Sequence, residues 1–204
     1  QLADGQWTVE ATLTDKAGNT TAAINTSFTV DTVTTVSARL DSLSDTGNLS
    51  NDGITNIATP KFSGTGEAGA AIEFTIDGET YNTTVAANGK WEVQIPAEKA
   101  LISDDYDFTV LATDKAGNTA TAGGSITVDL VTPTINFDAI AIDNVLNIAE
   151  SGQALIVSGT TTDVENNQTL TLTLNGKSYT PKVVDNAFSI EIAAVDVALL
   201  TNAS

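Results

Sequence analysis

The sequence contains no cysteine and no histidine. Without cysteine there is no disulfide of the kind that braces small secreted modules, so something else must brace this one. Losing both residue types also removes the usual nucleophile and the usual general base. Paired carboxylates hydrolyse glycosides in other proteins, but the acids here fall in end loops rather than in a cleft. The chain therefore reads as not an enzyme. Basic residues are scarce too, 8 Lys and Arg against 26 Asp and Glu, for a net charge of −18. That balance opposes nucleic acid and anionic membrane surfaces as partners. The acids are dispersed, which argues against a disordered acidic tail. Aromatic residues make up only 5%, so any core is modest. No apolar run approaches the roughly 18–20 residues that a bilayer requires, and no membrane insertion is expected. The chain opens at Gln1 without a signal peptide and inside a module. It reads as a piece of a longer protein whose targeting signals lie elsewhere.

What the sequence does contain is repetition. Asp15-Lys16-Ala17-Gly18-Asn19-Thr20 returns as Asp114-Lys115-Ala116-Gly117-Asn118-Thr119, 99 positions later. The closing aspartates Asp31 and Asp129 stand 98 apart. A fixed period of this length marks tandem modules, each large enough to bury one core. Residues 1–31 supply the last two strands of one module, 32–129 a complete module, and 130–204 the first five strands of a third. In the complete module the strands are read at 36–43, 61–65, 71–76, 80–86, 90–95, 106–113 and 121–128. A long polar loop at 44–53 follows the first. Asp77-Gly78 and Asn88-Gly89 are hairpin turns. Seven short strands in about 100 residues is the pattern of an immunoglobulin-like sandwich. The fold class is accordingly all-β, tandem immunoglobulin-like β-sandwiches in an extended rod. In the third module Ser158-Gly159-Thr160 matches Ser63-Gly64-Thr65, and Phe188 stands where Trp91 stands. A single helical turn is expected near 195–200. Trp7, Trp91, Tyr106 and Phe188 recur at matching strand positions, which favours core over a carbohydrate-stacking set.

Sandwich topology gathers the acids. The 2–3, 4–5 and 6–7 loops share one pole, so Asp114 and Asn118 are expected beside the linker residue Asp31, with Glu67 at the same end. Asp4, in the first module's 5–6 loop, approaches from the other side. A second junction would gather Asp129, Asp104 and Asp105, Asp45 with Asp52, and Asp163 with Glu165. Carboxylates crowded without basic partners repel, and Ca²⁺, which takes roughly 6–8 oxygen ligands, converts that repulsion into a clamp. Two readings stay open for Asp114 and Asn118: an Asx-type turn alone, or a turn that is also a metal ligand. Asp45 and Asp52 fit a solvated loop equally well. The spacing is not that of an EF-hand.

The motifs Val-Asp-Thr-Val-Thr at 30–34, Ser-Asp-Thr-Gly at 44–47, Ser-Gly-Thr-Gly-Glu-Ala-Gly-Ala at 63–70, Asn-Gly-Lys-Trp at 88–91 and Asp-Lys-Ala-Gly-Asn at 114–118 resemble bacterial Ig-like repeats. Such repeats occur in giant type I-secreted adhesins, among them the giant non-fimbrial adhesin of Salmonella and biofilm-associated surface proteins. The resemblance implies a surface-exposed, extracellular stalk that folds where Ca²⁺ is abundant. Its partners would be neighbouring Ig-like domains of the same chain, and its function that of a spacer stiffened by Ca²⁺. Two alternatives remain: a module that itself binds a host glycan or protein, and an accessory module of a secreted polysaccharide-degrading enzyme. Because the two end pieces add up to one module, head-to-tail completion between chains is a further expectation.

Overall fold

The computed structural model describes residues 2–47 and 49–200; position 48, within the polar loop noted above, lies outside them. The chain divides into two compact units, residues 1–130 and 131–204. Among the described residues no helix is long and apolar enough to cross a membrane.

The first unit opens with a hairpin, β1 (Gly5–Ala11) and β2 (Ile24–Val30), paired antiparallel with Trp7 opposite Phe28. Strand alternation puts Trp7, Val9, Ile24 and Phe28 on one face and Gln6, Thr8 and Glu10 on the other. The apolar face stays open, with Trp7 38% exposed and Phe28 45%. Trp7 is thus not core, contrary to the sequence reading, because two strands form one layer and a core needs a second layer against it.

A sandwich follows. Its strands are β3 (Arg39–Leu40), β4 (Ile54–Thr55), β5 (Lys61–Thr65), β6 (Ala71–Ile76), β7 (Glu79–Thr84), β8 (Lys90–Gln94), β9 (Asp104–Thr113) and β10 (Thr119–Val128). One sheet runs β4-β10-β9-β6-β7 and the other β3-β5-β8. The central strands of the first sheet alternate: Ile72, Phe74 and Ile76 of β6 are buried, as are Tyr106, Phe108, Val110 and Ala112 of β9, and in the second sheet Trp91 and Val93 of β8 are buried. Phe74 sits at the centre, its ring 4.5 Å from Phe62, 5.7 Å from Phe108 and 6.2 Å from Trp91. The Asp77-Gly78 turn has φ of 50° and 72°, the left-handed pair that a two-residue hairpin demands.

Two strand readings change. The first strand shrinks from 36–43 to Arg39–Leu40 plus a bridge at Val36–Gly66. Ser37 interrupts it, because its hydroxyl accepts the Thr65 amide at 3.0 Å in place of a backbone carbonyl. Conversely, β4 was unforeseen. It pairs parallel with β10, Ile54 opposite Thr127, at the end of the stretch read as a long polar loop.

The second unit has β11 (Thr134–Phe137), β12 (Leu155–Thr162), β13 (Leu172–Leu174), β14 (Lys177–Tyr179), β15 (Ala187–Ile192) and a one-turn helix α1 (Ala194–Val197). β11-β12-β15 form one sheet and β13-β14 another. Val157, Leu172, Phe188, Ile192 and Val197 make its core. The Gly64 and Gly159 match has a steric basis. A Cβ on Gly64 would stand 1.9 Å from Ser37 O and 2.7 Å from the Trp91 ring. On Gly159 it would stand 2.0 Å from Asn136 O and 2.8 Å from the Phe188 ring. In both modules the first strand and the large aromatic close onto a residue without a side chain.

Candidate metal centre

The loop between β9 and β10 is tied by its own first residue. Asp114 N donates to Asn118 O at 3.0 Å, and Gly117, at φ 93°, donates to Asp114 O at 3.3 Å. The carboxylate folds back so that Oδ1 accepts the Asn118 amide and Oδ2 accepts Asn118 Nδ2, each at 2.8 Å. Asp15 and Asn19 reproduce this at 2.9 and 2.8 Å. The same short sequence makes the same Asx-type loop twice, so this part of the site is local chemistry.

The second copy has a neighbour. Asn118 Nδ2 also reaches the linker, 3.2 Å from Asp31 O and 3.5 Å from Asp31 Oδ1. Glu67 arrives on the loop between β5 and β6. That loop is closed by Ala70 N to Glu67 O at 3.0 Å and anchored by Gly66 N to Gly89 O at 3.0 Å. The result is a trio: Asp31, Glu67 and Asp114 each offer a carboxylate oxygen, all within 4.8 Å of one another. Oxygens around one Ca²⁺ lie about 2.3–2.6 Å from it, so opposite ligands stand about 5 Å apart. The spacing fits a shared ion. Burial pushes the Asp114 carboxyl up, but the Asn118 side chain and the amides of Asn118, Gly117 and Ala116 outweigh it and hold it below its ordinary value. A buried Asp114 therefore stays ionised beside two further acids. Asn118 faces the carboxylates with its NH₂ and positions them. Asp4 accepts the hydroxyl of Thr32, the residue after Asp31, at 2.7 Å but is not one of the trio.

The residues present suit a hard divalent cation, since every donor in the trio is a carboxylate oxygen. Sequence reading passed over Lys115. Its Nζ stands 3.2 Å from where a Cβ on Gly69 would be, so it lies over the loop carrying Glu67. The signal was available: lysine follows aspartate in both loop copies.

A family model described as bacterial Ig-like domain matches residues 1–32 and 32–130. The chain belongs to the bacterial Ig-like domain family. Its all-β, tandem immunoglobulin-like architecture is the class read from the strand pattern. Similar solved structures include an adhesin of an Antarctic bacterium, described as Ca²⁺-stabilized and as helping it reach out and bind ice. Identity is 33%, over 94% of this chain and 49% of that one, with a TM-score of 0.39. A 1.5-MDa bacterial ice-binding adhesin is 27% identical over 96% of this chain and 66% of that one, TM-score 0.38. An Ig-like domain of the M. primoryensis ice-binding adhesin is 34% identical over 48% of this chain and 100% of that one, TM-score 0.32. The chain thus spans about half to two thirds of the first two, 49% and 66%. No curated protein matches it.

The other candidate acids of the Ig-like unit are held differently. Asp104 Oδ1 accepts the Asp105 amide at 2.8 Å, and Asp105 Oδ1 accepts the Thr127 hydroxyl at 2.6 Å. Asp129 donates its amide to Thr55 O at 2.8 Å. Asp45 Oδ2 accepts the Gly53 amide and Asp52 Oδ1 the Ile54 amide, both at 3.1 Å. Within the first unit and among the described residues, these five form no trio like that of Asp31, Glu67 and Asp114. In the second unit Asp163 adopts φ 55° after β12, and Glu165 O accepts the Gln168 amide at 3.3 Å.

Proposed function

We propose that this chain is a spacer from the stalk of a large bacterial surface adhesin, and that Ca²⁺ at Asp31, Glu67 and Asp114 stiffens the link between consecutive Ig-like modules. One observation carries the reading. Asp31 belongs to the segment joining the 1–31 hairpin to the sandwich, and its carboxylate meets two acids from separate sandwich loops within 4.8 Å. An ion bound there ties linker to module and removes the freedom of the joint. The description of the Antarctic adhesin as Ca²⁺-stabilized belongs to that protein; for this chain the reading rests on its own carboxylates. Extracellular Ca²⁺ modules bind at about 10⁻⁴–10⁻³ M. At a hundred times Kd one such site adds about 2.7 kcal/mol to the folded state, a useful share of the roughly 5–15 kcal/mol that holds a domain. Small-angle scattering before and after chelation tests this. A maximum dimension that grows with Ca²⁺, and fails to grow in Asp31→Asn, supports it; an indifferent one refutes it.

Head-to-tail completion between chains is proposed on a separate observation. The Trp7–Phe28 register of β1–β2 is that of Tyr106–Ile126 in β9–β10, where the equivalent face is core. The second unit of another copy would supply the facing layer. Sedimentation at increasing concentration is expected to show association, and a persistent monomer would dismiss the idea.

A further inference from the structure

The tripeptide Asn-Gly-Lys occurs twice, at 88–90 and at 175–177, and both copies make turns. Asn-Gly is a labile pair, because the glycine amide nitrogen, unshielded by a side chain, can attack the asparagine side-chain carbonyl carbon. The same tripeptide gives the two copies the same intrinsic chemistry, so a difference between them comes from structure. At Asn88 the reacting groups are engaged. Gly89 N donates to Ala86 O at 2.9 Å, and Asn88 Oδ1 accepts the Lys90 amide at 3.0 Å. Gly89 O also accepts the Gly66 amide at 3.0 Å, which ties this turn to a neighbouring loop. At Asn175 they are free. Among the described residues Gly176 N donates to no acceptor and Asn175 Oδ1 accepts from no donor; only Nδ2 is held, donating to Leu199 O at 3.3 Å. Both residues are exposed, and a Cβ on Gly176 would meet nothing within 4 Å.

We propose that Asn175 is a site of self-modification by water, losing its side-chain amide through a cyclic imide, while the turn at Asn88 protects the second copy. Gly176 N gives its proton to solvent base and bonds to Asn175 Cγ. The Cγ–Nδ2 bond breaks, and Nδ2 leaves as ammonia with a proton from water. Water then opens the imide at either carbonyl, giving aspartate or, with the main chain rerouted through Cγ, isoaspartate; nothing is oxidised or reduced. The two products differ in consequence. Position 77 is the counterpart of 175, 98 residues earlier, and is already an aspartate. Asp77-Gly78 turns at φ 50° and 72°, Asn175-Gly176 at 50° and 78°, so aspartate fits this turn. Isoaspartate adds a main-chain carbon to a two-residue turn whose length sets Leu174 opposite Lys177. β14 carries Lys177 and Tyr179, the partners of Asp196, and Leu172 of β13 lies in the core. The isoaspartyl product therefore loosens the hairpin and the second unit with it.

The experiment is peptide mapping by mass spectrometry after the whole chain is incubated at mildly alkaline pH, where the amide proton leaves more readily. Trypsin places Asn88 and Asn175 in separate peptides, ending at Lys90 and Lys177. Conversion at Asn175 is expected to run at least about tenfold faster than at Asn88, where two hydrogen bonds must open before the ring closes. In concentrated urea, which removes the turns, the two rates should converge. The isoaspartyl fraction should show faster hydrogen exchange in β13 and β14, and Asn175→Asp should exchange like the parent. If Asn175→Asp does not fold, the rates in the unaltered chain decide alone. Equal rates in the folded chain, a faster Asn88, no conversion at Asn175, or a gap that survives in urea each overturns the proposal.

Discussion

Asp196 shows how one carboxylate shapes the response of a module to pH. Its Oδ2 accepts Lys177 Nζ at 2.6 Å and the Tyr179 hydroxyl at 3.0 Å. The hydrogen bond from Lys177, then that from Tyr179, holds its pKa below the ordinary 3.8. A depressed folded-state pKa stabilises above the ordinary value, and that stability is lost as pH falls through the folded one. Urea midpoints of the second unit, followed by the Val197 methyl resonance, are expected to drop as pH falls from about 5 to 2. Asp196→Asn should flatten that slope. Asp114 acts differently: its substitution by Asn removes a carboxylate from the trio, and the Ca²⁺ titration of the junction should weaken while the loop, closed also by backbone bonds, keeps its shape.

At the scale of the element, the strands depend on close approaches that tolerate no extra atom. Gly64→Ala would place a methyl 1.9 Å from Ser37 O, on backbone that cannot swing away as a side chain would. Overpacking of this kind typically costs about 1–3 kcal/mol, and guanidinium denaturation of the first unit should show a loss at or above that. Phe74→Ala opens the centre of the aromatic cluster instead, with an expected loss of about 3–5 kcal/mol. A midpoint within about 0.5 kcal/mol of the parent for Phe74→Ala would contradict the core described here. β6 and β9 were legible because their apolar residues alternate. β4 was not, because two residues beside a polar loop have no periodicity to read, and only the parallel neighbour β10 makes Ile54 and Thr55 a strand.

For the whole molecule, the prediction concerns the metal. Thermal unfolding of the first unit, followed by Trp91 fluorescence, should shift upward with Ca²⁺ and return on adding chelator. Because ions bound only to the folded state act by mass action, the shift should keep growing with concentration above Kd. Asp31→Asn, which removes one carboxylate of the trio, should reduce the shift. An equal shift in Asp31→Asn and the unaltered chain would remove the trio from the account.

The sequence by itself determined what depends on near neighbours along the chain. Two copies of Asp-Lys-Ala-Gly-Asn suffice for two identical Asx loops, alternation suffices for the strands of the sandwich, and a 98–99-residue spacing suffices for tandem modules. Strand order already set Asp31, Glu67 and Asp114 at one pole; only tertiary structure, among the described residues, brought their carboxylate oxygens within 4.8 Å and left Asp4 out of the group. Asp31, Glu67 and Asp114 converge because β5, β6, β9 and β10 bring three distant loops to one place, whereas among the described residues Asp15, in a loop of the same sequence, meets no second and third carboxylate. Exposure was settled there too: Trp7 and Tyr106 occupy the same strand position, and the facing layer buries only the latter. A local motif sets the shape of a loop through its own hydrogen bonds, but charge density and burial are sums over everything that packs nearby.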